Sequence, residues 1–181
     1  FDKETYPQSL QMAREGAVLL ENDGVLPLKA GEKIAVIGPN GNIAQLGNYI
    51  SYENADGKGV AENSLSLFEA LKKNGTDCKY ALGSEFHKTS DALLSHAVEV
   101  ARESDVILLA VGDNSKGGKG AGVQKEDTDD VLPSLVVTSG EGYDLNRVEL
   151  TDAQVRLFDA MKTLNKPIVM ILYGGRPHAI T

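Results

Sequence analysis

Apolar residues along this chain recur with two periods, and the alternation between them predicts the fold. In YPQSLQMAREGAVLLEN, Leu10, Ala13, Ala17 and Leu20 fall at spacings of three and four, which predicts an amphipathic helix, and the DG at 23–24 ends it. KIAVIG, 33–38, is a short apolar run closed by glycine and predicts a buried strand that ends in the turn GPNGN. A polar, Gly- and Asn-rich stretch at 46–62 leads into SLSLFEALKKNG, where Leu67, Phe68 and Leu71 share a helical face and Gly75 suits the C-terminal stop. DCKYAL predicts a second strand. SDALLSHAVEVARES, opened by Ser90 as N-cap, predicts a helix with Leu94, Ala97, Val98 and Ala101 turned inward, and DVILLAVG predicts a third, buried strand. The pattern then breaks. From 113 to 138 the chain reads DNSKGGKGAGVQKEDTDD and VLPSLVVT, and the first part is too polar and glycine-rich to pack. TDAQ, with Thr151 and Gln154 at capping-box spacing, opens a helix carrying Leu157, Met161 and Leu164, and PIVMILYG predicts the last buried strand.

Helices alternating with near-continuous apolar strands predict an α/β fold, a three-layer sandwich around a mostly parallel, flavodoxin-like sheet. With 181 residues, 41% of them hydrophobic, one domain is expected. Ligands of such sheets sit beyond the carboxyl ends of the strands. Both the 113–138 loop and the segment SGEGYD at 139–144 follow DVILLAVG, so both are expected on that edge, and a long loop inside a compact domain is itself a functional signal.

Charge and composition narrow the chemistry. A net charge of −8 opposes a nucleic-acid backbone or an anionic membrane surface as partner and points to a neutral small molecule or another protein. The single cysteine, Cys78, has no second thiol for a disulfide or a CxxC pattern, so neither metal nor redox cofactor is expected. No run approaches the roughly 18 apolar residues of a membrane span, and FDKETYPQSL lacks the order of a signal peptide. The compartment stays open. With no tryptophan and 6% aromatics, the chain offers no broad stacking platform for a sugar. His87, His96 and His178 lie far apart without ligand spacing and read as ordinary surface or helix residues. VIGPNGN departs from GxGxxG and opens no helix, so it reads as a tight strand-ending turn. GxSxG is absent, and Asp127, Asp129 and Asp130 read as a solvated charge run.

What remains is acid chemistry. Glu141 lies between Gly140 and Gly142, so the backbone there can come close to a ligand without a side-chain clash. A carboxyl delivered in this way has its pKa raised once water is excluded.

AREGAVLLENDGVLPL, KIAVIGPNG with LGNY after it, DVILLAVG, SGEGYDLNRVELTDAQ and KPIVMILYGGRP together resemble the C-terminal α/β-sandwich domain of glycoside hydrolase family 3. The segments stand in the family's order across nearly the whole chain. The resemblance implies part of a retaining β-glucosidase or β-xylosidase. In that enzyme a (β/α)8 barrel domain carries the nucleophilic aspartate, and the sandwich lends its general acid/base from a loop. Glu141 of SGEG matches that acid/base, with Gly140, Gly142 and Tyr143 as substrate-binding neighbours, and the substrate would be a β-linked glucoside or xyloside. The alternative is a non-catalytic module that only completes the pocket of a barrel domain. Against the family's GEGxDRxxLxLPGxQ this chain reads GEGYDLNRVELTDAQ, so Leu145 replaces the usual arginine and Thr151 and Asp152 replace Pro-Gly, with Arg147 two residues beyond. The barrel and its Ser-Asp-aromatic motif are absent from the 181 residues, and the resemblance implies that GRPHAIT precedes further segments of the sandwich. The fragment alone is expected to be inactive.

Overall fold

The computed structural model describes residues 6–45, 64–115, 138–139 and 146–180. Helix α1 spans Tyr6–Glu15, strand β1 Ile34–Ile37, α2 Leu67–Lys73, β2 Cys78–Ala81, α3 Asp91–Arg102, β3 Val106–Gly112, α4 Asp152–Lys162 and β4 Ile168–Tyr173. The strands form one parallel sheet in the order β2-β1-β3-β4. Register pairs Ile34 with both Cys78 and Val106, and Ile107 with Ile168.

Because side chains alternate across a strand, the apolar runs supply both faces of the sheet. Ala35, Ile37, Ile107, Leu109 and Val111 pack with Ala97 and Ala101 of α3 and with Leu157 and Met161 of α4. Ile34, Val36, Val106 and Leu108 face the other way, against Leu67, Phe68 and Leu71 of α2. The result is the expected three-layer α/β sandwich. Side chains such as Ile37, Ile107, Leu109 and Leu157 are fully buried, and each contributes roughly 1.5–3 kcal/mol of transfer free energy.

The local signals acted largely as their chemistry dictates. Ser66 and Glu69 form a reciprocal capping box, Glu69 N–H donating to Ser66 Oγ at 3.1 Å and Ser66 N–H to Glu69 Oε2 at 2.8 Å. Gly75, at φ 79°, closes α2 while its N–H donates to Lys72 O and that of Thr76 to Leu71 O, the double bond of a glycine stop. Ser90 caps α3.

Three expectations are corrected. The first helix ends at Glu15, and Val18, Leu19 and Leu20 beyond it are exposed. Gly16 interrupts the run at a cost of about 1 kcal/mol relative to alanine, and α1 buries no side chain, so packing does not compensate. β4 is half-buried along its length, and among the described residues it pairs with β3 alone, at the end of the sheet. Thr151 is the N-cap of α4 but makes no side-chain cap bond; its hydroxyl and the Gln154 amide turn inward instead.

Candidate functional site

Order β2-β1-β3-β4 makes the chain move to one side after β1 and to the other after β3, so the crevice between the carboxyl ends of β1 and β3 is the topological switch point. Gly38 turns the chain out of β1 at φ 115°, and a Cβ there would lie 2.3 Å from Ala110 O. That close approach brings the turn onto β3: Asn40, fully buried, donates its N–H to Ala110 O at 3.2 Å and its Nδ2–H to Asp113 O at 3.3 Å. GPNGN is thus the tight structural turn read from the sequence.

Gln154 fixes the end of β3. Its Oε1 accepts from Gly112 N–H at 2.7 Å, while its Nε2 donates to Gly112 O at 3.1 Å and to Phe86 O at 3.4 Å. Thr151 Oγ1 donates to the same Phe86 carbonyl. One side-chain amide of α4 therefore serves the backbone at the carboxyl end of β3.

Asp113 follows immediately and was the residue that sequence reasoning passed over. DNSK was expected to open an unpacked loop, yet Asp113 and Asn114 are buried, at 7% and 0% exposure. Asp113 Oδ1 accepts from Thr138 Oγ1 at 3.0 Å, and Oδ2 accepts from Arg176 Nε at 2.9 Å. His178 Nε2 faces the same oxygen at 3.1 Å. His178, expected to be an ordinary surface or helix residue, has a side chain only 2% exposed, packed so closely over Gly174 that a Cβ there would lie 2.5 Å from Nε2. Thr138 is tied again, its N–H donating to Asn114 O at 2.8 Å and its hydroxyl oxygen accepting from Asn114 N–H at 2.9 Å. The available signal was position: an acid directly beyond an apolar strand and an Arg-Pro-His directly beyond its neighbour.

In this low-dielectric setting the Asp113–Arg176 attraction exceeds that of an exposed pair. The surface pair Arg147–Asp152, at 2.7 Å with side chains 44% and 88% exposed, is worth about 1 kcal/mol at most. It engages the guanidinium of Arg147, the arginine two residues beyond Leu145. His87 stands at the surface near this group; desolvation holds its pKa below the ordinary value, Asp113 opposes that shift and Arg147 adds to it. His96 is exposed on α3, as expected.

Glu141, Gly140, Gly142, Tyr143, Asp144 and Leu145 lie outside the described residues, as do 116–137 and LGNY. Their described neighbours are Ser139 on one side and Asn146 on the other. Among the described residues, no three His, Cys, Asp or Glu side chains gather as a metal site and no helix is long and apolar enough to cross a membrane. A concavity of about 380 Å³ lies at the opposite edge, lined by Lys33, Asp77, Lys79 and Glu103 among others; its mixed charges belong to the amino ends of the strands, away from the switch point.

Residues 17–181 match the profile of the Glycosyl hydrolase family 3 C-terminal domain. A probable exo-1,4-β-xylosidase, bxlB, of Aspergillus fumigatus is 32% identical over 166 residues, covering 90% of this chain and 18% of that protein. A β-xylosidase of Formosa agariphila is 28% identical over 186 residues, covering 95% of this chain and 22% of that protein. Among solved structures, the GH3 exo-β-xylosidase XlnD in complex with a xylobiose aziridine activity-based probe superposes with a TM-score of 0.73 at 26% identity, over 95% of this chain and 19% of that one. The GH3 β-glucosidase of Bifidobacterium adolescentis gives 0.69 at 28% identity, over 99% of this chain and 23% of that one. The chain thus spans about a fifth of the length of these relatives.

Proposed function

Because this chain belongs to glycoside hydrolase family 3, through that family's C-terminal domain, we propose that it works as part of a retaining β-glycosidase that removes terminal β-xylosyl or β-glucosyl residues. The observation that carries the reading is the family match over 17–181, which includes SGEG at 139–142. It is supported by the anchoring of Thr138, three residues before Glu141, on Asp113 and Asn114 at the carboxyl edge of the sheet.

Glu141 is the general acid/base of this proposal. A retaining glycosidase needs a nucleophile and an acid/base carboxyl about 5 to 5.5 Å apart. Glu141 protonates the glycosidic oxygen as the bond to the sugar breaks, and the aspartate of the (β/α)8 barrel domain takes up the sugar as a covalent intermediate. Glu141, now a carboxylate, then draws a proton from water as that water displaces the aspartate. Gly140 and Gly142 let the backbone approach the sugar closely, and Tyr143 contacts the substrate. Closure of the two domains excludes water and raises the Glu141 pKa toward working pH. Xylosidases and glucosidases among the relatives support both sugars.

The test is Glu141→Gln in the enzyme that carries both domains, assayed on aryl and alkyl glycosides. Protonation matters most where the leaving group is poor, so kcat/KM is expected to fall about 10²- to 10⁴-fold on those substrates and far less on dinitrophenyl glycosides. Azide should restore turnover of Glu141→Ala and give a glycosyl azide of retained configuration. Unchanged turnover on poor leaving groups would leave this domain as a module that only completes the pocket.

A further inference from the structure

The buried Asp113 cluster connects two parts of the chain that the sheet alone does not hold together. On one side Asp113 Oδ1 accepts from Thr138 Oγ1 at 3.0 Å. On the other, Asp113 Oδ2 accepts from Arg176 Nε at 2.9 Å, and the same guanidinium reaches on through Nη1 to Arg147 O at 3.1 Å. Beyond Arg176 the tie continues, with Ala179 N–H donating to Val148 O at 2.9 Å and Ala179 bridging Glu149 in parallel. One carboxylate and one guanidinium thus fasten residue 138 and residue 147, the two ends of the stretch that contains Glu141. His178 Nε2 lies 3.1 Å from Asp113 Oδ2, with its side chain almost fully buried.

We propose that Asp113, Arg176 and His178 form a positioning clamp for the glycosidase reaction, fixing where the Glu141-bearing stretch leaves the sheet and where it returns. The proposal rests on the reading of Glu141 as acid/base. Three features suit the residues to positioning rather than to contact with sugar. Asp113 is spent on Thr138 and Arg176 and has 6% of its side chain exposed. Arg176 uses the fork of its guanidinium to span Asp113 and the Arg147 carbonyl, which the single charged point of a lysine cannot do. The His178 ring lies against the backbone of Gly174, so its place depends on the absence of a Cβ there. A misplacement of about 1 Å in a reacting group can cost about 10²-fold in rate, so small displacements of the two anchors are enough to be seen.

The experiment compares Thr138→Val, Arg176→Lys and Gly174→Ala with Glu141→Gln in the two-domain enzyme. Thr138→Val and Gly174→Ala leave Asp113 and Arg176 in place: the first removes the hydroxyl that donates to Asp113 Oδ1 and accepts from Asn114 N–H, and the second displaces only the end of the His178 side chain. For each clamp variant kcat/KM on alkyl glycosides is expected to fall about 10- to 100-fold, while kcat/KM on dinitrophenyl glycosides, which reports a first step that needs no proton from Glu141, changes about threefold or less. Combined with Glu141→Gln, the clamp variants should add no further loss on the poor leaving groups, because they act through Glu141. Hydrogen exchange of the Thr138 and Ala179 amides should quicken in the same variants while Ile107 and Val36 stay protected. Equal losses on both substrate classes, or full additivity with Glu141→Gln, would reduce the cluster to a structural ion pair and overturn the clamp alone. A Glu141→Gln enzyme without a leaving-group-dependent defect would overturn the acid/base reading and the clamp with it.

Discussion

Gln154 shows how much one buried side chain can decide. At 1% exposure its amide serves the N–H and C=O of Gly112 and the carbonyl of Phe86. A buried polar group left without its partner costs about 1–3 kcal/mol, so Gln154→Leu, which strands three of them, is expected to destabilise the fold by roughly 3–5 kcal/mol in urea denaturation. Gln154→Glu keeps the acceptor for Gly112 N–H but loses both donors and buries a charge, and it should fare no better at pH 7. The spacing of Thr151 and Gln154 suggested a helix cap. It was a true signal of a polar pair at the start of α4, but the pair faces inward because Phe86 O and Gly112 lie beneath it, contacts between residues 65 and 42 positions apart. Asp113, Arg176 and His178 were missed for the same reason: the ion pair joins residues 63 apart, and no local period marks it.

Elements were legible where one local cause was sufficient. The four strands and the inward faces of α2, α3 and α4 followed from periodicity, and Gly75 and Ser90 from stop and cap chemistry. The helical run to Leu20 was overread because periodicity describes what a helix could bury, and among the described residues α1 buries no side chain. The ends of the strands are where glycine is required. Gly112 sits at φ 113°, and a Cβ there would lie 2.0 Å from Tyr173 O, so Gly112→Ala must part β3 from β4 as well as accept a strained backbone. Left-handed strain alone is worth about 1–2 kcal/mol, and with the clash the loss in a urea titration is expected to be at least about 3 kcal/mol. Gly75→Ala is the control, since φ is also positive there but open space surrounds it, and its loss should stay near about 1 kcal/mol.

For the molecule as a whole, the side of the sheet facing α2 carries a pH-dependent contribution. Tyr80 packs against Phe68 in a tilted pair with ring centroids 5.8 Å apart, and burial pushes its pKa up to about 12. Tyr173 is shifted in the same direction by burial. Since the folded state favours the protonated phenol, the stabilisation is complete below the unfolded value near 10 and is lost as pH rises through 12. Stability should therefore fall by on the order of 2 kcal/mol across that interval, and Tyr80→Phe should flatten the slope of the urea midpoint against pH; an unchanged slope would locate the titration elsewhere.

The amino-acid sequence by itself determined the class of fold, its layers and, through the resemblance carried by SGEG and its companion segments, the family. These depend on periods, caps and turns that act within a few residues. Only the tertiary structure decided that Gln154 caps a strand rather than a helix, that the run after Glu15 stays exposed, and that Asp113, Thr138, Arg176 and His178 meet in one buried group. Each of those outcomes depends on the burial of polar atoms whose partners come from distant parts of the chain, and an unpaired polar atom acquires its cost only when packing has removed the water around it.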